Sequence, residues 1–207
     1  MFALILKDLL TLKKGSIKLG IVLLLYCVIF LSVGDVTMLT SFVALFSTLL
    51  VISSFTYDES SKWDIYALSL PVTKKQIVLS RYILDLLFHI AGCAVCFLLA
   101  LFTRNLDEEI SILLYCIFAA CILVSAIILP LFYKFGSQKA RIWMILIFVS
   151  PSILIILLKN LGIQTYAFDP LSDSTVNLLI AAILPVSILF YVVSYFISCQ
   201  IYQKKEF

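Results

Sequence analysis

Long apolar runs separated by short polar segments dominate the pattern of this chain. A helix needs about 20 mostly apolar residues to cross the roughly 30 Å hydrocarbon core of a bilayer. Six runs have about that length, and they cover residues 17–33, 36–55, 82–102, 110–133, 142–158 and 176–197. The pattern therefore predicts an all-α polytopic membrane protein with six transmembrane helices, folded as one transmembrane domain over residues 1–207.

Residues 1–16 are too polar to span a membrane, but their pattern is helical. Apolar positions occupy one face and polar positions the other, with Phe2, Ile5, Leu6 and Leu9 set against Lys7, Thr11, Lys14 and Lys18. A helix of this kind lies in the membrane interface with its lysines near anionic head groups. The sequence thus predicts an interfacial helix over 1–16 that turns into the first span near Gly15, although flanking positive charge alone would also explain the lysines.

The longest polar segment between two spans covers residues 57–81 and reads as two short helices separated by Pro71. The first has an apolar stripe at i, i+3, i+4 and i+7, formed by Trp63, Tyr66, Ala67 and Leu70. In the second, Thr73 and Gln76 have the spacing of a capping box. An amphipathic loop with Trp and Tyr either lies on the membrane interface or docks in a groove of another protein, and the pattern leaves both open.

The distribution of charge gives these spans a direction. The chain is 63% hydrophobic and 13% charged, against about 45–50% and about 25% for soluble domains, which excludes a soluble globular protein. Thirteen of its 15 Lys and Arg residues lie on one side of the spans, leaving Arg104 and Lys159 on the other. Because positive loops stay in the cytoplasm, both termini are predicted to be cytoplasmic and residues 159–175 extracellular. The net charge of +3 reflects this polarity and does not indicate nucleic-acid binding.

Charged or titratable residues inside a span are costly and are candidates for function. Asp85 and His89 meet this description, and with Arg81 they occupy positions i, i+4 and i+8 on one stripe of the third span. A structural interpretation has Arg81 neutralise Asp85 while His89 donates a hydrogen bond. A functional interpretation makes the stripe a proton relay or a polar point on a substrate path, and both remain open.

The chain itself lacks the residues of a nucleotide or metal site. The segment from Gly15 to Gly20 has the glycine spacing of a P-loop, but Ile21 and Val22 follow where Lys and Ser or Thr must contact phosphate and Mg²⁺. A single histidine cannot supply the imidazoles of a usual zinc site. We therefore expect no metal and no cofactor in this chain.

The run Asp-Glu-x-x-x-Trp-Asp-x-Tyr-x-x-Ser-Leu-Pro-Val-Thr-Lys-Lys-x-Ile-Val-x-Ser-Arg-Tyr, residues 58–82, resembles the membrane subunits of bacterial ABC exporters of the second exporter class. It is most similar to the small six-span permeases that export amphipathic peptide toxins and antimicrobial peptides. The resemblance implies that residues 58–69 form a coupling helix, which fits a groove on a separate ATPase subunit. The implied contact residues are Asp58, Glu59, Lys62, Trp63, Asp64, Tyr66, Leu70 and Pro71.

The resemblance further implies a plasma-membrane permease, not itself an enzyme, that exports amphipathic peptides or other amphiphiles. ATP and Mg²⁺ would bind the partner ATPase, and a second permease chain would complete a homodimer or a heterodimer of related chains. Two other functions remain open. The chain could be an immunity or resistance protein with no transport role, or a small secondary transporter, although the latter should show inverted repeats and more intramembrane charge.

Overall fold

The computed structural model describes residues 2–33, 36–102, 108–160 and 173–205, and each regular element within these ranges is an α-helix. The helices are α1 (Phe2–Val33), α2 (Val36–Ser60), α3 (Trp63–Leu68), α4 (Lys74–Phe102), α5 (Glu108–Asn160) and α6 (Asp173–Lys204). The predicted all-α fold class is thus confirmed for the described residues.

Four stretches of the described helices are long and apolar enough to cross a membrane. They are Thr40–Ser60, Lys74–Leu101, Ile110–Leu146 and Leu179–Lys204, and they overlap the predicted spans 36–55, 82–102, 110–133 and 176–197. The predicted spans 17–33 and 142–158 are not separate members of this set and stay predictions. The extracellular segment predicted at 159–175 lies largely outside the described residues.

Helix α1 continues through the position where the sequence pattern predicts a turn. It runs from Phe2 to Val33 as one element, so the predicted turn near Gly15 is wrong. A glycine inside a helix costs only about 1 kcal/mol relative to alanine, which is too little to end a helix of 32 residues. The predicted interfacial helix and first span are therefore parts of one continuous helix.

Helix α5 is interrupted at Gly136, whose φ of 75° and ψ of 172° are not helical. A positive φ is readily adopted only by glycine, because it lacks a Cβ atom. The break falls between the predicted spans 110–133 and 142–158. The chain therefore changes direction at a position that the sequence equips with a glycine.

The largest group of buried apolar residues joins all six helices. It contains Leu4 of α1, Val51 of α2, Ala67 of α3, Val78 and Tyr82 of α4, Leu129 and Tyr133 of α5, and Cys199 and Tyr202 of α6. Tyr82 also donates or accepts hydrogen bonds at 2.7 Å with the hydroxyls of Ser194 and Ser198 on α6. The short helix α3 is thus packed on the helical bundle rather than free of it.

Candidate functional sites at the α2–α4 loop and within the bundle

The loop between α2 and α4 contains a shorter helix than the coupling helix predicted over 58–69. Helix α2 continues to Ser60, and Lys62 adopts a left-handed conformation with φ 51° and ψ 37° before α3 begins at Trp63. The hydroxyls of Ser60 and Ser61 donate to the carbonyls of Tyr57 and Asp58, at 2.8 and 3.2 Å. Such local hydrogen bonds compete with helix continuation. The predicted single helix is therefore divided at residues 61–62.

Helix α3 has one face packed on the bundle and one face exposed. Ala67 is fully buried, and Trp63 packs against the main core beneath the Lys7 ammonium, which lies 4.2 Å from the ring centroid. On the other face Ile65 is 56% exposed and Tyr66 64% exposed. Lys62, Leu70 and Pro71 are exposed as well. The side chain of Asp64 is not among those that the structure describes. The predicted apolar stripe is thus shared between anchoring and exposed residues.

The predicted capping box at the start of α4 is confirmed. The backbone N–H of Thr73 donates to Gln76 Oε1 at 3.0 Å, and the N–H of Gln76 donates to Thr73 Oγ1 at 3.3 Å. In the same turn Lys74 donates to the carbonyl oxygens of Gln203 and Lys205, at 3.2 and 3.1 Å. Lys74 thus places its positive charge at the C-terminal end of α6, where it interacts favourably with the dipole of that helix. This contact accounts for a lysine in the first turn of α4.

Beneath α3, four charged side chains of three helices form one network. Lys7 Nζ lies 2.7 Å from Asp8 Oδ1 and 2.8 Å from Asp58 Oδ1. Arg81 Nη1 lies 3.2 Å from Asp8 Oδ2, and the guanidinium also donates to Asp58 and to Ser54 Oγ. Two cations alternate with two carboxylates, so their formal charges sum to zero. Such pairing is what allows Arg81 and Asp8 to be almost completely buried.

This network corrects the predicted partner of Arg81. The sequence interpretation paired Arg81 with Asp85, whereas Arg81 contacts Asp8 on α1 and Asp58 on α2. The i, i+4 spacing places two side chains on one helix face but does not exclude a better partner on a neighbouring helix. Asp58, predicted to contact an ATPase, directs its carboxylate to Lys7 and Arg81. Asp8 was not identified as a candidate, although Lys7-Asp8 in an otherwise apolar turn was a usable signal.

Glu59 connects the end of α2 to the break in α5. Its Oε2 accepts a hydrogen bond from the backbone N–H of Ser137 at 2.6 Å. Its Oε1 would lie 3.2 Å from a Cβ atom at Gly136. A carboxylate at the beginning of a helical segment satisfies an N–H group and interacts favourably with the helix dipole. Glu59 therefore caps the second part of α5 from another helix.

Inside the bundle, Asp85 and His89 contact each other and two residues of other helices. Ser125 Oγ on α5 donates to Asp85 Oδ1 at 2.9 Å and lies 2.8 Å from His89 Nε2. Tyr191 on α6 has its hydroxyl 2.8 Å from Asp85 Oδ2, and His89 Nε2 lies 3.3 Å from Asp85 Oδ1. The predicted stripe of Arg81, Asp85 and His89 is thus divided into two separate polar groups.

The cluster of Asp85, His89, Ser125 and Tyr191 joins α4, α5 and α6. Asp85 is 1% and His89 3% exposed. The sequence did not indicate Ser125 or Tyr191, because a neutral hydroxyl within a span carries no charge or spacing signal. Among the described residues no group of three or more His, Cys, Asp or Glu side chains is placed to hold a metal ion.

Long apolar helices, with buried charges paired between them, define an integral membrane protein. A family model described as ABC-2 family transporter protein matches residues 3–203. The chain therefore belongs to the ABC-2 family of transporter membrane proteins. No curated protein and no solved structure shows significant similarity to it. Proteins of this family are the membrane components of ABC transporters and are not themselves catalytic, so the family implies an ABC ATPase as partner.

Proposed function

We propose that this chain is the transmembrane subunit of an ABC exporter and that a separate ATPase subunit docks on α3. Two permease chains, either identical or related, would assemble with two ATPase chains in the plasma membrane. Each permease would have six spans, including 17–33 and 142–158, and both termini in the cytoplasm. ATP and Mg²⁺ would bind only to the ATPase, and amphipathic peptides or other amphiphiles would be the exported substrates.

The exposed apolar face of α3 is the observation that carries this proposal. Ile65 and Tyr66 project from a helix whose opposite residues, Trp63 and Ala67, pack on the bundle core. An exposed aromatic residue on a rigid support is typical of the residues that dominate binding energy in protein interfaces. Of the predicted contact residues, Lys62, Tyr66, Leu70 and Pro71 have the exposure that such docking requires.

The contacts beneath α3 provide a route by which its displacement would reach the spans. Lys7 of α1 lies over Trp63 and also bonds to Asp58. Asp58 in turn bonds to Arg81 of α4. A push on α3 by an ATPase would therefore act on α1, α2 and α4 together.

The amphipathic substrate is proposed from the family resemblance and from the apolar surface of the spans. An open groove of about 380 Å³ between α4 and α5 is lined by Ile90, Ala94, Phe97, Leu114 and Phe118, together with Cys93 and Ser111. A groove of this composition suits apolar side chains or acyl chains. It offers few polar groups to a hydrophilic solute.

Co-purification tests the docking site directly. The chain is co-expressed with an ABC ATPase from the same organism, and the affinity of the two proteins is compared between wild type and Tyr66→Ala. We expect Tyr66→Ala to weaken binding about tenfold or more, since truncating a central aromatic residue costs more than about 1–2 kcal/mol.

The matched control is Phe190→Ala, which removes an aromatic residue of similar exposure, 56%, from the candidate span in α6. Its ATPase affinity should equal that of wild type. Unchanged binding and ATPase activity in Tyr66→Ala would mean that α3 is not the docking site.

A further inference from the structure

The hydroxyl of Tyr191 lies close to two oxygen atoms but has a single hydrogen to donate. The backbone carbonyl oxygen of Tyr82 is 2.7 Å away, and Asp85 Oδ2 is 2.8 Å away. A carbonyl oxygen only accepts hydrogen bonds, and so does an ionised carboxylate. With an ionised Asp85, one of these two short oxygen–oxygen contacts would have no hydrogen between its atoms.

A proton on Asp85 satisfies both contacts. Asp85 Oδ2 then donates to the Tyr191 hydroxyl oxygen, and the Tyr191 hydroxyl donates to the carbonyl oxygen of Tyr82. The resulting chain runs in one direction from α4 through α6 and back to α4. Each oxygen atom in it has a hydrogen-bond role that its chemistry allows.

The contacts on the second carboxyl oxygen, Asp85 Oδ1, are consistent with the same protonation state of Asp85. Ser125 uses its one hydrogen to donate to Asp85 Oδ1, so its contact with His89 Nε2 at 2.8 Å requires that the histidine donate. His89 therefore carries a hydrogen on Nε2. A neutral imidazole with this tautomer, together with a neutral carboxyl group, accounts for every hydrogen in the cluster.

The remaining His89 nitrogen, Nδ1, has no hydrogen-bond partner among the described residues. His89 lines a cavity of about 20 Å³ together with Thr40, Ser47 and Gly92. That space is sufficient for about one water molecule. Gly92 lets α2 approach α4 closely at this cavity, because a Cβ there would lie 2.6 Å from Ser47 Oγ. A water hydrogen can satisfy an unprotonated Nδ1, as the neutral tautomer requires.

The charges around the cluster also favour a neutral carboxyl group. Arg81 directs its guanidinium to Asp8 and Asp58 rather than to Asp85. Apart from His89, the titratable side chains that face the cluster among the described residues are phenols and thiols, which are neutral near pH 7: Tyr82, Cys93 and Cys96 of α4, Cys121 and Tyr133 of α5, and Tyr191 of α6. Helix α2 contributes the neutral hydroxyls of Ser47 and Thr48.

We propose that Asp85 is a proton-binding site inside the membrane domain. At neutral pH it holds a proton on Oδ2, between Ser125 and Tyr191, with His89 neutral beside it. The ligand of the site is a single proton taken from water, and its binding changes the cluster from one net negative charge to none. An uncharged cluster avoids the large cost of an unpaired carboxylate within a membrane.

Infrared spectroscopy of the full chain in lipid vesicles at pH 7 tests the proposal. A protonated carboxyl group has a carbonyl stretching band that a carboxylate lacks. We expect this band in wild type and in the control Glu108→Gln, which removes an exposed acid at the start of α5. We expect its complete loss in Asp85→Asn.

The chain has one histidine, so ¹⁵N-histidine labelling reports His89 alone when the affinity tag contains no histidine. The proposal predicts a neutral ring with hydrogen on Nε2 and none on Nδ1. A doubly protonated ring, together with no carboxyl band from Asp85, would show a His89–Asp85 ion pair and overturn the proposal. The wild-type spectra decide this outcome even if Asp85→Asn does not fold.

A third measurement, the unfolding temperature of Asp85→Asn, distinguishes a protonated from an ionised Asp85. Asparagine has the shape of a protonated aspartic acid, with an N–H group that can donate to Tyr191 and an oxygen that can accept from Ser125. If Asp85 is neutral, Asp85→Asn should unfold at nearly the wild-type temperature. A large loss of stability in this variant, with wild-type spectra showing a carboxylate, would contradict the proposal.

Discussion

Removing Arg81 tests the charged network beneath α3 most severely. Arg81→Met keeps a long apolar side chain but leaves the carboxylates of Asp8 and Asp58 without their second cation. The side chains of Arg81 and Asp8 are only 4% and 2% exposed, so water cannot replace the lost contacts. Breaking a buried ion pair by removing one partner costs about 3–5 kcal/mol. For a chain of this size, about 2–4 °C per kcal/mol gives a fall in unfolding temperature of about 6–20 °C.

A thiol-reactive dye in detergent solution measures this fall, because the buried thiols of Cys96 and Cys199 become reactive on unfolding. Lys139→Met is the matched control, since it removes an exposed cation that lies outside this network. It should unfold within about 1–2 °C of wild type, because surface substitutions change stability by at most about 0.5 kcal/mol. The double variant Asp8→Asn/Arg81→Met should recover part of the loss, because one uncompensated carboxylate is gone. An Arg81→Met protein as stable as the control would refute the assignment of Arg81 to this network.

Three further substitutions test single contacts with the same assay. Glu59→Ala should lose about 1 kcal/mol or more, as expected for a missing helix cap, whereas Glu59→Gln keeps an acceptor for Ser137 N–H and should lose less; equal losses would argue against capping. Gly136→Ala should be destabilising by more than about 1 kcal/mol, because its φ of 75° is strained for alanine, and a stable variant would mean that the break in α5 lies elsewhere. Tyr191→Phe should cost about 1–3 kcal/mol by leaving buried polar atoms of Asp85 without a partner, and a neutral effect would contradict that hydrogen bond.

Local patterns in the sequence predicted the features that depend on neighbouring residues. Apolar runs predicted the four candidate spans that the described helices contain, because a candidate span is defined by its length and hydrophobicity. The spacing of Thr73 and Gln76 predicted the start of α4, because both hydrogen bonds of a capping box lie within one turn. The predicted turn at Gly15 is wrong because the free-energy cost of one glycine is too small to end a helix.

Contacts between distant helices could not be read from the sequence. Most of α1 and the whole of α2 and α3 lie between Asp8 and Arg81 in the sequence, and nothing in the i, i+4 pattern indicates that the two residues meet. Ser125 and Tyr191 are ordinary polar residues of apolar spans until packing places their hydroxyls against Asp85. The candidate site was therefore predictable as a set of unusual charges, but their pairing depends on tertiary packing.

Docking of a separate ATPase on α3 is the central claim, and site-specific photo-crosslinking tests it most directly. A photoreactive phenylalanine analogue is placed at position 66, or at the control position 190, and the chain is irradiated in membranes that contain the ATPase. The account predicts a covalent adduct with the ATPase from position 66 and none from position 190. Adducts of position 66 with lipid alone would place α3 on the membrane interface and contradict the claim.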